Sequence, residues 1–169
     1  SLAYSAPVLR TFSSSKFDTT AFGDPLVSVE GIPNVRCPSL DPCLVVPALH
    51  QALYTFATGY LLPNGIEMVL TDTTRSYDEQ LYFWNRFLRQ QREGYDEPIP
   101  ACNPGNRANP NQCTHMTGNA IDFNLVFEAD NLNRDGDGGQ YKDRMAVRRI
   151  MCEFGFINFL KEHWHYEWG

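Results

Sequence analysis

The spacing of apolar and polar positions predicts three helices. Residues 47–62 (PALHQALYTFATGYLL) carry apolar side chains at helical spacing and begin with a proline, which suits a first helical turn. Residues 76–94 form a second predicted helix, which Ser76 can cap and Gly94 can end. The same periodicity predicts a third helix over residues 141–156.

Strand patterns lie between these helices. Residues 66–72 (IEMVLTD), 119–127 (NAIDFNLVF) and the terminal HWHYEWG each indicate a strand. Strands and helices are interspersed without a regular βαβ repeat, which favours an α+β fold with a small antiparallel sheet flanked by about three helices. Residues 1–46 are rich in proline, serine and threonine, and predict an extended N-terminal segment that packs on the domain formed by residues 47–169.

Two loops stand out. Residues 95–114 contain four prolines, and a loop of this length inside one domain is usually functional or disordered. In the acidic loop DNLNRDGDGGQ, Asn133, Asp135 and Asp137 alternate as in the first half of a calcium loop. Arg144 stands where the twelfth-position glutamate of such a loop is expected, so a solvated acidic turn is the alternative to a Ca²⁺ site.

Composition narrows the class of protein. The chain has 169 residues, of which 43% are hydrophobic and 20% charged, as expected for one globular domain with its own core. Its net charge of -6 argues against a nucleic-acid partner. No apolar run approaches the roughly 18–20 residues that cross a bilayer, so no transmembrane segment is predicted. The first residues lack the pattern of a secretion signal, and we expect that any such signal has been removed or lies outside the given sequence.

The cysteines indicate an oxidising compartment. Cys37 and Cys43 flank PSLDP, while Cys102 and Cys113 bracket a longer segment without hydrophobic periodicity. We favour two disulfides, and therefore a periplasmic, cell-wall or extracellular location. Four reduced thiols are the alternative, and a cysteine zinc cluster is disfavoured because no C-x-x-C spacing occurs. Cys152 lies in the third predicted helix and is interpreted as a buried free thiol.

Histidines and carboxylates occur together in two places. His163 and His165 follow Glu162 in KEHWHYEW, and His115 precedes Asp122 by seven positions at the entrance of a predicted strand. Two histidines and one carboxylate leave an open position on tetrahedral zinc, which is typical of a catalytic site. A carboxylate within an apolar strand is costly unless it is paired or metal-bound. An ion pair with a lysine or arginine therefore remains the alternative for Asp122.

Four segments resemble motifs of the zinc D-alanyl-D-alanine peptidases. CTHMTGNAID (113–122) resembles their S-x-H-x-x-G-x-A-x-D motif, and EHWH (162–165) resembles their E-x-W-H motif. TRSYDEQLY (74–82) is similar to their R-S-Y-x-x-Q segment, and RRIMCEFGFIN (148–158) to their helix followed by Gly-Phe. The motifs occur in the family's order over roughly residues 66–169. The wider group includes lysostaphin-type endopeptidases, phage endolysins and the hedgehog signalling domain.

The resemblance implies a role for each matching residue. His115, Asp122 and His165 correspond to the ligands of Zn²⁺, which the sheet would carry. Glu162 corresponds to the general base of the hydrolysis. Arg75 corresponds to the arginine that stabilises the negative oxygen of the tetrahedral intermediate.

Substrate contacts are less sharply implied. Tyr77 and Gln80 fall near the start of the second helix, where they either contact substrate or pack the helix. Cys113 replaces the serine that helps to hold substrate in the family, so a disulfide at Cys113 would lose that contact or move it to Thr114. His163 replaces an aromatic residue that is frequent in the second motif.

The resemblance implies a zinc peptidase that hydrolyses bonds to D-amino acids in peptidoglycan stem peptides, with D,D-carboxypeptidase activity preferred. A cell-wall endopeptidase, either an endolysin or an exported antibacterial effector, is the alternative within that class. A non-catalytic zinc module would need neither Glu162 nor Arg75, and a disulfide-stabilised domain without metal would need none of the ligands. No inhibitor or immunity protein is identified from the sequence.

Overall fold

The protein is described here from a computed structural model, which covers residues 17–127, 147, 149–158 and 165–169. Helices and strands are interspersed within these residues, and the α+β class predicted from the sequence is confirmed. The strands, in chain order, are β1 (Val27–Ser28), β2 (Val35–Arg36), β3 (Leu44–Val45), β4 (Ile66–Asp72), β5 (Gly105–Asn106), β6 (Asn109–Pro110), β7 (Ala120–Phe127), β8 (Phe156–Asn158) and β9 (His165–Trp168).

A five-stranded sheet of order β2-β4-β7-β9-β8 organises the fold. Its neighbouring strands are antiparallel except for β2, which lies parallel to β4 at one edge. Strand β2 comes from the N-terminal segment, so part of that segment completes the sheet. The pairs β1–β3 and β5–β6 form two further small sheets.

Two helices follow the predicted boundaries closely. Helix α1 (Pro47–Phe56) begins with its proline and continues into a π-helical turn over Ala57–Leu61. Helix α2 (Tyr77–Arg92) starts at a capping box, in which Ser76 and Glu79 each accept a hydrogen bond from the other's backbone N–H. Residues 149–153 are helical, as predicted, but the helix ends before residue 156, because the chain turns at Gly155 and Phe156 begins β8.

The hydrophobic core lies between α1 and the sheet. Alternate residues of β4 point into it, which is the period-two pattern expected of a strand with one buried face. Strand β7 is buried over most of its length because it lies in the middle of the sheet. The largest fully buried side chains are Tyr166, Phe56, Phe123, Phe156, Leu26, Leu44, Leu49, Leu53, Leu61, Met68 and Leu70.

Both expected disulfides are present, joining Cys37 to Cys43 and Cys102 to Cys113. Cys152 is a free thiol, but the expectation that it is buried is wrong. It lies on the exposed side of its helix, because the apolar neighbour Met151 takes the inward position. Among the described residues, no helix is long and apolar enough to cross a membrane.

Gly118 holds the turn that leads into β7. Its φ is +77°, in the left-handed region, and a Cβ at this position would lie 2.7 Å from Cγ1 of Val46. Its carbonyl also accepts a hydrogen bond from the backbone N–H of Val46. Glycine is therefore required twice, for its backbone conformation and for the close approach of Val46.

Replacing Gly118 with alanine is expected to lower the free energy of unfolding by about 3 kcal/mol, from left-handed strain together with overpacking. Gly94 is the matched control, since its φ is +74° but no atom lies within 4 Å of an added Cβ. Gly94→Ala should cost only the strain, about 1 kcal/mol. Urea denaturation of both variants measures the difference, and equal losses would show that the contact with Val46 is unimportant.

Candidate metal centre

Three buried side chains converge at one end of the central strands. Asp122 on β7 and His165 on β9 are directly opposed in the antiparallel register. His115 reaches the same point from the turn that precedes β7. One ligand atom from each of the three residues lies within 4.8 Å of the other two. The cross-strand pairing thus brings together residues that are far apart in the sequence.

The distances among these atoms fit a tetrahedral metal ion. Asp122 Oδ1 lies 2.8 Å from His165 Nδ1 and 3.2 Å from His115 Nε2. The two histidine nitrogens are 3.1 Å apart. Ligands held at about 2.0–2.1 Å around a tetrahedral zinc ion are roughly 3.3 Å from one another. The three donors therefore need to move only slightly to hold zinc.

Hydrogen bonds on the far side of each imidazole orient the two histidines. His115 Nδ1 lies 2.6 Å from the carbonyl oxygen of Thr73, which can only accept, so this nitrogen carries the hydrogen and Nε2 keeps a lone pair when the ring is neutral. His165 Nε2 lies 3.1 Å from a carboxylate oxygen of Glu167 and donates to it in the same way. His115 Nε2 and His165 Nδ1, the other nitrogen of each ring, therefore face Asp122.

The charge state of the site follows from the same contacts. Burial disfavours ionisation of Asp122, but its contacts with the imidazoles of His115 and His165 outweigh that effect and hold the pKa of the carboxyl well below its usual range. Burial likewise lowers the pKa of His165, yet the carboxylates of Asp122 and Glu167 raise it above the ordinary histidine value. The two carboxylates thus favour protonation of His165 in the metal-free protein, and a metal ion would compete with that proton for Nδ1.

The three residues lie at the base of a cavity of about 390 Å³. Its wall is formed by helix α2, by the loop that follows α2 and by the Cys102–Cys113 disulfide. The lining residues are Arg75, Gln80, Phe83, Arg86, Ile99, Pro100, Ala101, Cys102, Cys113, Thr114, His115, Asp122, His165 and Glu167. A volume of this size admits a small molecule or a short stretch of peptide.

Arg75 is held rigidly beside the ligand cluster. Its backbone N–H donates to the carbonyl oxygen of His115, and its guanidinium forms an ion pair with Asp72 at 2.7 Å. The same guanidinium lies 3.9 Å from Asp122 Oδ2 and donates to Gln80 Oε1 at 3.1 Å. Asp72 faces Asp122 across a β-bulge between β4 and β7. Arg75 thus presents a fixed positive charge next to the candidate ligands.

Two of the three residues expected to contact substrate line the cavity, and the third does not. Gln80 is buried and lines the cavity, where its amide links Arg75 to the carbonyl oxygen of Cys102. Thr114 also lines the cavity. Tyr77 lies away from the described lining, and its hydroxyl donates to the carbonyl oxygen of Gly105 at 2.7 Å. This contact joins the start of α2 to the loop and agrees with the packing alternative for Tyr77.

Several expected residues cannot be placed. Glu162 and His163 lie outside the described residues, as do Asn133, Asp135 and Asp137 of the acidic loop. No observation on the described part of the chain supports a calcium site.

Sequence reasoning missed two residues that shape the site. Glu167 orients His165, and Asp72 holds Arg75 in place through their ion pair. A signal for Glu167 was present, because residues two apart on a strand point to the same face. The role of Asp72 depends on the bulge in the β4–β7 pairing, which no sequence pattern indicates.

Comparisons with known proteins identify the fold. No family model matches the chain, and no curated protein matches it by sequence. Among solved structures, the chain is similar to the LD-carboxypeptidase LdcB, whose structure reveals the basis of peptidoglycan recognition. The match has a TM-score of 0.56 and 22% identity, and covers 88% of this chain and 70% of that one.

Two vancomycin-resistance structures are also similar. VanYB in complex with D-alanine-D-alanine matches with a TM-score of 0.53 and 12% identity, over 92% of this chain and 80% of that one. The D,D-pentapeptidase VanY in complex with Zn(II) matches with a TM-score of 0.52 and 13% identity, over 86% of this chain and 78% of that one. The resemblance inferred from the motifs is thereby confirmed at the level of the fold.

Proposed function

We propose that the protein is a zinc-dependent peptidoglycan peptidase that acts as a D,D-carboxypeptidase on stem peptides. The observation that carries the proposal is the convergence of His115 Nε2, Asp122 Oδ1 and His165 Nδ1 at the base of a cavity that also contains Arg75. The fold shared with peptidoglycan peptidases and the matching motif order support the same function. The two disulfides are consistent with export.

Zinc would be held by His115, Asp122 and His165, with a further position left for water or substrate. Bound zinc supplies Lewis acidity, which activates water and a peptide carbonyl at neutral pH. The donor set fits zinc better than calcium or magnesium, which prefer oxygen ligands. These residues are the proposed ligands because His115 Nε2, Asp122 Oδ1 and His165 Nδ1 lie 2.8–3.2 Å from one another.

Two further side chains would carry out the hydrolysis. Arg75 would stabilise the negative charge that develops on the carbonyl oxygen, and its ion pair with Asp72 keeps it in place before substrate arrives. Glu162, assigned from the E-x-W-H motif, would take a proton from the attacking water and pass it to the leaving amine. Gln80 would hold the orientation of Arg75 through their hydrogen bond.

Digestion of defined muropeptides, followed by mass spectrometry, tests the proposed reaction. The zinc-loaded protein should remove one terminal D-alanine from a disaccharide pentapeptide and leave the rest of the stem intact. Separated stems from a crosslinked dimer would instead show an endopeptidase. The absence of any product from either substrate would contradict the assignment as a peptidoglycan peptidase.

Glu167→Gln is expected to weaken zinc binding about ten-fold, since outer hydrogen bonds to metal-binding histidines typically contribute 10–100-fold in affinity. The neutral amide accepts less strongly from His165 Nε2 and leaves the ring less well oriented. Competition with a chromophoric chelator measures the affinity. Glu67→Gln is the control, because Glu67 pairs with Arg36 on the protein surface. Equal affinities of the two variants for zinc would show that Glu167 does not support zinc binding.

A further inference from the structure

A second guanidinium group lines the same cavity. Arg86 lies on α2 about one turn beyond Phe83, and both side chains contribute to the cavity wall. The ring of Phe83 lies 4.2 Å from the guanidinium carbon of Arg75 and 4.8 Å from that of Arg86. Both guanidinium groups therefore contact the same aromatic ring. The distance between their carbon atoms cannot exceed the sum of these two distances.

The two arginines differ in how their charge is balanced. Arg75 is paired with Asp72 and hydrogen-bonded to Gln80. For Arg86, the described part of the chain supplies no ion-pair partner, and its Nε is buried without a hydrogen-bond acceptor. A buried donor without an acceptor carries a desolvation cost that a ligand oxygen would relieve. Arg86 is thus the cation of the cavity that is available to an anion.

We propose that Arg86 binds the free α-carboxylate of the substrate's C-terminal residue and so selects peptides with an unblocked C-terminus. The inference rests on the proposed function, in which Arg75 faces the scissile carbonyl. Peptide units advance by roughly 3.3–3.6 Å per residue, so a terminal carboxylate one residue beyond that carbonyl comes within reach of the second guanidinium. A guanidinium binds a carboxylate through two parallel N–H···O hydrogen bonds, and Arg86 is suited to this role.

The Cys102–Cys113 disulfide lies in the same cavity and changes which groups can bind the substrate. Cys113 stands at the position where the motif has a serine that helps to hold substrate, and the disulfide has no hydroxyl to offer. The lining residues Ile99, Pro100 and Ala101 carry no charged side chain. Arg86 is therefore the group of this cavity that can pair with the charged end of a peptide.

The test compares one stem peptide in two forms, with a free C-terminal carboxylate and with a C-terminal amide. The wild-type, zinc-loaded protein should show a kcat/KM for the free acid that is about 10–100-fold higher, the range expected for a hydrogen-bonded charge pair. Arg86→Gln should lose most of that preference by raising KM for the free acid, while kcat/KM for the amide stays within about two-fold. Arg86→Lys should keep part of the preference, because it retains the charge.

Arg89→Gln is the matched control, since Arg89 is exposed on the same helix and lies outside the cavity lining. It should leave both peptides unaffected. An equal loss for the two peptides in Arg86→Gln would show a structural role and overturn the inference, as would a wild-type protein that does not distinguish them. Hydrolysis of neither peptide by the zinc-loaded wild type would contradict the proposed function itself, and the inference with it.

Discussion

Asp122→Asn is expected to abolish hydrolysis at ordinary zinc concentrations and to raise the Kd for zinc by more than about 100-fold, because even outer hydrogen bonds contribute 10–100-fold. The carboxylate is the charged donor of the site, and it lies between two imidazoles at 2.8 and 3.2 Å. An amide has similar size but carries no charge, so the two histidines would have to bind the ion without a compensating anion.

Zinc affinity, measured by competition with a chelator, and activity on a stem peptide should fall together in this variant. Asp78→Asn removes the same charge from an exposed residue of α2 that pairs with Arg107, and should change neither quantity. Circular dichroism of the metal-free proteins confirms that both variants fold. Wild-type zinc affinity in Asp122→Asn would contradict the assigned ligand set.

Glu162→Gln is expected to lower kcat by about 10²–10⁴-fold, the usual contribution of a general acid–base residue, without changing the affinity for zinc. The amide has no basic oxygen that could take a proton from water. This result would distinguish the role of Glu162 from that of the three candidate ligands, because substitution of a ligand should lower the affinity for zinc as well as the activity.

Glu167→Gln is the informative comparison for Glu162→Gln, because it likewise neutralises a glutamate, and Glu167 lines the cavity. Excess zinc should restore most of the activity of Glu167→Gln, which binds the ion more weakly. The same excess should leave Glu162→Gln inactive. Full activity in Glu162→Gln would show that another group acts as the base, and recovery with zinc would show that Glu162 acts on the metal.

Local sequence patterns were enough to predict the helices and the central strands. Helix α2 is bounded by its capping box and by Gly94 at its end, and both are visible in the sequence. Strand β4 alternates as expected of a half-buried strand. The parallel addition of β2 at the edge of the sheet was not predicted, because it depends on pairing with residues about 30 positions away along the chain.

The candidate ligands were predicted from the sequence because three residues match the ligand positions of the peptidase motifs. Asp122 and His165 are cross-strand partners, so pairing alone brings them together. The motif leaves Tyr77 open between substrate contact and helix packing, and the hydrogen bond from its hydroxyl to Gly105 depends on a loop position that no local pattern indicates. Arg86 belongs to no motif, and its proposed role follows from its place in the cavity wall beside Phe83. Residues that act through tertiary contacts leave no local signal.

Zinc reconstitution of the metal-free protein tests the central claim most directly. The metal is removed with a chelator, zinc is returned in measured equivalents, and release of D-alanine from a stem pentapeptide is followed at each step. We expect no release by the metal-free protein and a rise in activity that reaches a plateau at one zinc ion per chain, with no rise in Asp122→Asn. Undiminished release after the metal has been removed would contradict this expectation.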